Sequence, residues 1–190
     1  MDKAQLRRQL RSERSAFVAA LPGAIQRLAF RVLPSPVLRL IPPEACVALY
    51  IPMGAEAPTE GIAVQLADRG NLLCLPRLHD NQGNMDFAPW HPDDKLGPGL
   101  GGIPEPDADL AAVTPDVILT PLVGFDDALN RMGQGAGYYD RAFAACPQAL
   151  RIGLAWSVQH VPNLPVDPWD VPLHMVVTES AIYESASEQG

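Results

Sequence analysis

Between Arg131 and Asp140 the chain reads Arg-Met-Gly-Gln-Gly-Ala-Gly-Tyr-Tyr-Asp. Glycine at every second position (Gly133, Gly135, Gly137) removes the side chains that would hold backbone N–H groups away from an anion. The run follows an apolar strand and loop, Asp116 to Asp126, and leads into a helix expected to begin near Tyr138, whose N-terminal dipole favours negative charge. Arg131 offers a planar, forked donor to phosphate oxygens. Asp140, on the first helical turn, offers a hard carboxylate oxygen to a magnesium ion bridging those oxygens. This is the chemistry of a phosphate and metal site. The same ten residues also describe a glycine turn ahead of a core helix, with Tyr138 and Tyr139 as packing groups. They are not a Walker A loop, which ends in Gly-Lys-Ser/Thr, and they do not fit Gly-x-Gly-x-x-Gly.

A second group of chemically capable residues lies at the N-terminus, where Lys3, Arg7, Arg8, Arg11 and Arg14 fall close together. Lys3 and Arg7, at i and i+4, share one face of a helix. Taken alone, that face reads as a solvated surface. His79, His91 and His160 match no triad or metal spacing and read as surface or loop residues. Cys46, Cys74 and Cys146 are odd in number, far apart and set among apolar residues, so they read as reduced core thiols rather than as a disulfide framework or a zinc site.

The elements that must position these groups follow from periodicity and capping. Asp2 is a candidate N-cap, with Gln5 in the reciprocal position, for a helix running to about Ala20 with Leu6 and Leu10 on one face. Prolines punctuate Leu33 to Pro43, which reads as an irregular connection. Cys46–Ile51 is a short apolar run, a strand covered on both faces and ended by Pro52. Thr59 to Arg69 reads as a helix with Ile62, Val64 and Leu66 as its apolar residues, closed by Gly70, and Leu72–Leu75 as the next strand. A second β-α-β unit runs from Val117–Thr120 through a helix from about Gly137 to Cys146 and on to Ile152–Trp156. Met175–Thr178 is expected to be the last strand. Between the two units, Met85 to Asp109 is Pro- and Gly-rich, and Phe87 and Trp90 suggest an edge strand ahead of a long loop. The alternation predicts an α/β fold: a single three-layer domain, residues 1–190, with a mostly parallel sheet flanked by helices and ligand sites at the carboxyl ends of its strands.

Composition sets the outer bounds. A chain of 190 residues with 47% hydrophobic content suits one globular core. No segment approaches the ~20 apolar residues of a membrane span, and no signal sequence opens the chain, so a soluble, cytoplasmic protein without a membrane partner is expected. A formal charge of −8 argues against a nucleic-acid partner, whose backbone calls for basic patches. A monomer is the default.

Taken in order, these segments resemble the 5-formyltetrahydrofolate cyclo-ligase family. The likeness spans nearly the whole chain. It is carried by Lys3-Ala-Gln-Leu-Arg7, Tyr50-Ile-Pro-Met-Gly-Ala-Glu-Ala-Pro-Thr59, Pro121-Leu-Val-Gly-Phe-Asp126, the Arg131 to Asp140 run and Trp169-Asp-Val-Pro-Leu173. The resemblance implies ATP-dependent ring closure of 5-formyltetrahydrofolate to 5,10-methenyltetrahydrofolate, with Mg2+ as cofactor and ATP as co-substrate. It places Lys3 and Arg7 on ATP phosphates and wraps Arg131, Met132, Gly133, Gln134, Gly135, Ala136, Gly137, Tyr138 and Tyr139 around the nucleotide, with Arg131 and Asp140 as the catalytic groups. It assigns Ile51, Glu56 and Tyr139 to the folate; as plain sequence, Glu56 is a loop carboxylate and Ile51 a core residue. Asp140 is the expected metal ligand, assisted by Asp170. Many relatives carry a second acidic ligand where this chain has His174, a poor ligand for magnesium. Gln134 and Ala136 likewise stand where relatives often have a basic or glycine residue.

Two rival readings remain at this level. One is a non-catalytic folate-binding relative, against which the retained Lys3, Arg7, Glu56, Arg131 and Asp140 speak. The other is a sugar-phosphate enzyme using Glu56 as base, which has no evident use for the Lys3/Arg7 face.

Overall fold

The computed structural model describes residues 2–80 and 82–185. The Asp2 carboxylate accepts from the Gln5 N–H and the Gln5 side-chain oxygen accepts from the Asp2 N–H, so the expected capping box opens helix α1, Lys3–Ala20. Two short helices follow, α2 at Gly23–Leu28 and α3 at Ser35–Leu38. The second corrects the expectation of an irregular connection: Pro34 is its N-cap and Pro36 lies in its first turn, where a missing N–H costs nothing.

Strand β1 covers Cys46–Ala48; beyond it the Leu49 N–H still donates to the Cys74 carbonyl of the next strand, but residues 49–51 form no further strand. The expected strand therefore ends before Pro52. Helix α4, Glu60–Asp68, buries Ile62, Ala63 and Leu66. Val64 is half exposed, because two residues along a helix from Ile62 is nearly the opposite face. Gly70, at φ +95°, ends the turn, and β2 runs Leu72–Leu78. Then come β3 at Met85–Pro89, the small pair β4 at Gly97–Pro98 and β5 at Pro104–Glu105, and β6 at Val117–Pro121. A two-residue hairpin, β7 at Gly124–Phe125 and β8 at Arg131–Met132, precedes helix α5 at Tyr138–Ala145. The chain continues with β9 at Leu150–Leu154, β10 at Met175–Val177 and β11 at Ile182–Glu184. Strand β10 is therefore not the last. Thr178 Oγ1 accepts from the Ala181 N–H and turns the chain back antiparallel, where Tyr183 packs 4.9 Å from the Phe125 ring.

The seven-stranded sheet has the order β11-β10-β9-β6-β1-β2-β3. Strands β10, β9, β6, β1 and β2 are parallel, and β11 and β3 close the two edges antiparallel. Alternation along the strands sends Val47, Leu73, Leu75, Val117, Leu119, Ile152 and Leu154 to one face with α4, and Ala48, Cys74, Ile118 and Val176 to the other with Ala142 and Phe143 of α5. A third cluster seats Leu6 and Leu10 of α1 on Val123, Met132 and Leu164. All three cysteines are free thiols, with Cys74 buried and the other two half-buried. Among the described residues no helix is long and apolar enough to cross a membrane.

The chain leaves β1 for β2 on one side and later returns to lay β6 on the other. The carboxyl ends of β1 and β6 thus flank a topological switch point, where an open α/β sheet leaves a crevice.

Candidate active site

That crevice is a cleft of about 1190 Å3. Three chain segments build it. After β1 the chain brings Tyr50, Ile51, Met53 and Glu56 to one wall. After β6 and the hairpin, the loop from Gly133 to Gly137 and the first turn of α5 form a second. Across the opening lies α1, which presents Lys3, Arg7, Arg11 and Arg14.

The glycines have local reasons. Gly135 lies at φ +115° and Gly137 at φ +74°, conformations that a side chain would strain. A Cβ on Gly133 would stand 2.5 Å from the Arg131 guanidinium. The loop is therefore shaped by glycine at each position, and α1 is tied to it: Arg7 Nε donates to Gly133 O at 2.8 Å and Arg11 Nη2 to Gln134 O at 3.2 Å.

Arg131 is buried, its side chain only 4% exposed, and its Nη2 donates to Asp140 Oδ2 at 3.0 Å. The guanidinium lies 5.5 Å from the centre of the Tyr139 ring and 5.7 Å from that of Phe143, and among the described residues its Nε has no partner. Glu56 is fixed from two directions. The Met53 N–H donates to Oε2 at 3.0 Å and the Gln134 side-chain amide to Oε1 at 3.0 Å. Lys3 Nζ meets Asp167 at 2.6 Å and Asp170 at 2.8 Å. Burial pushes the Asp170 carboxyl up, but the Lys3 ammonium, the Asp167 N–H and Arg131 together hold it below the usual range. Burial and the nearby Glu56 raise the Tyr50 and Tyr139 phenols, so both stay neutral donors and apolar surfaces.

Every residue singled out from the sequence as a site residue lines this one cleft: Lys3, Arg7, Ile51, Glu56, Arg131 through Tyr139, Asp140 and Asp170. His174 does not; its Nδ1 accepts the Arg151 N–H at 2.9 Å outside the cleft, and burial and the Arg151 charge lower its pKa. His79 and His91 are exposed as expected. His160 is more packed than a surface reading allows, with its ring 5.0 Å from Phe125 and 5.1 Å from Tyr183 and a 2.7 Å contact to Asp127. Phe87 is core and Trp90 half-buried, and neither lines the cleft.

Several lining groups were given no site role from the sequence. Arg11 and Arg14 carried a usable signal, because positions 3, 7, 11 and 14 form one stripe along α1. Asp167 and the exposed Trp169 lie in an irregular segment where spacing says nothing about direction.

Among the described residues no three His, Cys, Asp or Glu side chains gather into a metal cage. The donor set still fits magnesium. Asp140 uses only Oδ2 on Arg131 and has an oxygen to spare, and Mg2+ is commonly held by one carboxylate, waters and the phosphates of its ligand. Asp170 is already engaged by Lys3.

Residues 1–179 match the model of the 5-formyltetrahydrofolate cyclo-ligase family. A 5-formyltetrahydrofolate cyclo-ligase of Escherichia coli K12 is 37% identical over 145 residues, covering 73% of this chain and 80% of that one. Its counterpart from Haemophilus influenzae is 33% identical over 178 residues, covering 89% and 95%. Among solved structures, the NMR structure of Aquifex aeolicus 5,10-methenyltetrahydrofolate synthetase superposes with a TM-score of 0.80 at 29% identity, covering 100% of this chain and 96% of that one. A 5,10-methenyltetrahydrofolate synthetase from Mycoplasma pneumoniae, at 24% identity and TM-score 0.70 over 94% and 99% of the two chains, shares the fold.

Proposed function

The chain belongs to the 5-formyltetrahydrofolate cyclo-ligase family, and from that premise we propose that it converts 5-formyltetrahydrofolate and ATP into 5,10-methenyltetrahydrofolate, ADP and phosphate. The observation that carries the reading is the 3.0 Å hydrogen bond from Gln134 to Glu56. It sets the glycine loop one hydrogen bond away from the carboxylate assigned to the folate, so two ligands bound there have their reactive ends side by side.

The chemistry needs that adjacency. A formamide oxygen is a poor leaving group. Attack of the formyl oxygen on the γ-phosphorus releases ADP and leaves an iminium phosphate. N10 then bonds to the formyl carbon, the C–O bond breaks with its electrons going to phosphate, and N10 gives up its proton. The formyl oxygen departs inside the phosphate. No protein nucleophile enters; the chain supplies position and charge.

In this reading the backbone N–H groups of Gly133 to Gly137 and the start of α5 cradle the triphosphate, and Lys3, Arg7 and Arg131 neutralise it. Tyr138 and Tyr139 line the nucleotide side. Asp140 would hold Mg2+, which when bound draws charge off the phosphate oxygens. Glu56 accepts from the pterin donors while Ile51 and the Tyr139 ring cover it, keeping water from the activated carbon. Free thiols suit work in the reducing cytoplasm.

The test is direct. Purified protein with 5-formyltetrahydrofolate and MgATP is expected to generate the near-ultraviolet absorbance of the methenyl product with one ADP per turnover. Product without ATP consumption, or no product, would reject the proposal.

A further inference from the structure

Arg14 lies in the wall of the cleft, only 6% exposed, and the roles above leave it unused. A guanidinium carries five N–H donors. Among the described residues, Nη1 reaches the Leu122 carbonyl at 3.3 Å, Nε has no partner, and the nearest carboxylate oxygen, Glu56 Oε1, stands 3.8 Å away. Burial lowers the Arg14 pKa and the Glu56 charge opposes that only in part. A buried cation with most of its donors idle is costly unless something completes its coordination.

Glu56 beside it is the opposite case: a carboxylate that takes one hydrogen bond on each oxygen and keeps lone pairs free. A charged donor next to a charged acceptor is the complement of a ring edge bearing a carbonyl beside N–H groups. The 2-amino-4-oxopyrimidine edge of a reduced folate is such an edge, with the 4-oxo acceptor, the N3–H donor and the 2-amino donors in a row. We infer that Arg14 is a specificity-determining residue that donates to the 4-oxo oxygen while Glu56 accepts from N3–H and the 2-amino group. A phosphate suits the position poorly, because the Glu56 charge that would repel it lies within 3.8 Å of the Arg14 Nη1. The pair instead balances its own charge and asks for a neutral ligand. The inference rests on the proposed folate reaction and assigns a residue of that same site.

The test compares two ligands by calorimetry without nucleotide: 5-formyltetrahydrofolate and its counterpart with an amino group in place of the 4-oxo group. Wild type prefers the oxo compound. In Arg14→Met that preference falls by about 10- to 100-fold, the range of one hydrogen bond to a charged group, and Glu56 sustains the rest. Arg14→Lys, which keeps charge and a donor, loses less and carries the comparison if Arg14→Met does not fold. Equal loss of affinity for both ligands would mean that Arg14 only supports the fold, and the inference fails. A raised KM for ATP with an unchanged ligand ratio would assign Arg14 to phosphate and also overturn it. Wild-type protein that binds neither folate would defeat the proposed function itself, and this inference with it.

Discussion

Arg131 and Asp140 define each other. The guanidinium is buried under the Tyr139 and Phe143 rings and its ion pair with Asp140 fixes the carboxylate at the edge of the cleft. Asp140→Asn retains an oxygen for Arg131 but removes the charge that a phosphate-bound cation requires. We expect melting within a few degrees of wild type and kcat lower by at least ~100-fold, the scale of one lost electrostatic group in an active site. His174→Ala, remote from the cleft, is expected to leave turnover near wild type. Steady-state kinetics of the two variants decide it: an equal fall in both would place His174 in the machinery. At this scale the sequence was informative where chemistry is carried by composition. Alternate glycines ending in Tyr-Tyr-Asp, and the Lys3/Arg7 spacing, mark groups that the fold gathers into one cleft. It was silent on Asp167 and on a place in the cleft for Trp169, both of which depend on an irregular chain path, and on the 3.0 Å contact between Gln134 and Glu56, residues far apart in the chain.

Among the elements, α1 is held to the β7–β8 hairpin by close approach. A Cβ on Gly124 would stand 2.6 Å from Leu10 Cδ1, and Leu10 is 1% exposed with no room to turn away. Gly124→Ala therefore pushes α1 off its seat on Val123, Met132 and Leu164. The expected cost is about 1–3 kcal/mol of stability by chemical denaturation, the range for overpacking a filled core. Because Lys3 and Arg7 both ride on α1, whereas the folate would lose only its Arg14 contact and keep Glu56 and Ile51, KM for ATP should rise more than KM for the folate. An unchanged KM for ATP would show that α1 does not present the phosphate contacts. The helices and strands read best from sequence were those with a cap or an uninterrupted apolar run, such as the Asp2/Gln5 box and the Val117 strand. The hairpin of two-residue strands, the turn of α3 and the edge strand β11 gave weaker local signals, because tertiary partners hold them: the hairpin by the α1 stripe, β11 by pairing with β10 and the contact of Tyr183 with Phe125.

For the whole molecule, the sheet order explains why the parts meet. Reversal of strand order between β1 and β6 opens a crevice at their carboxyl ends, and the segments leaving those ends carry Glu56 and the glycine loop. A chain of net charge −8 nevertheless lines that crevice with Lys3, Arg7, Arg11, Arg14, Arg131 and Arg141. Net charge argues against a general polyanion partner; the cleft wall sets these six cations beside Glu56, Glu105, Asp140, Asp167 and Asp170, a mixed field that suits the proposed pairing of one small polyanion with a neutral ring. The central claim is that this cleft makes the formyl oxygen leave as phosphate, and oxygen tracing tests it most directly. With 18O in the formyl group, MgATP and unlabelled water, mass spectrometry of the released inorganic phosphate should find one labelled oxygen per methenyl product, with ADP unlabelled. Methenyl product accompanied by unlabelled phosphate, with the label in water, would contradict the account.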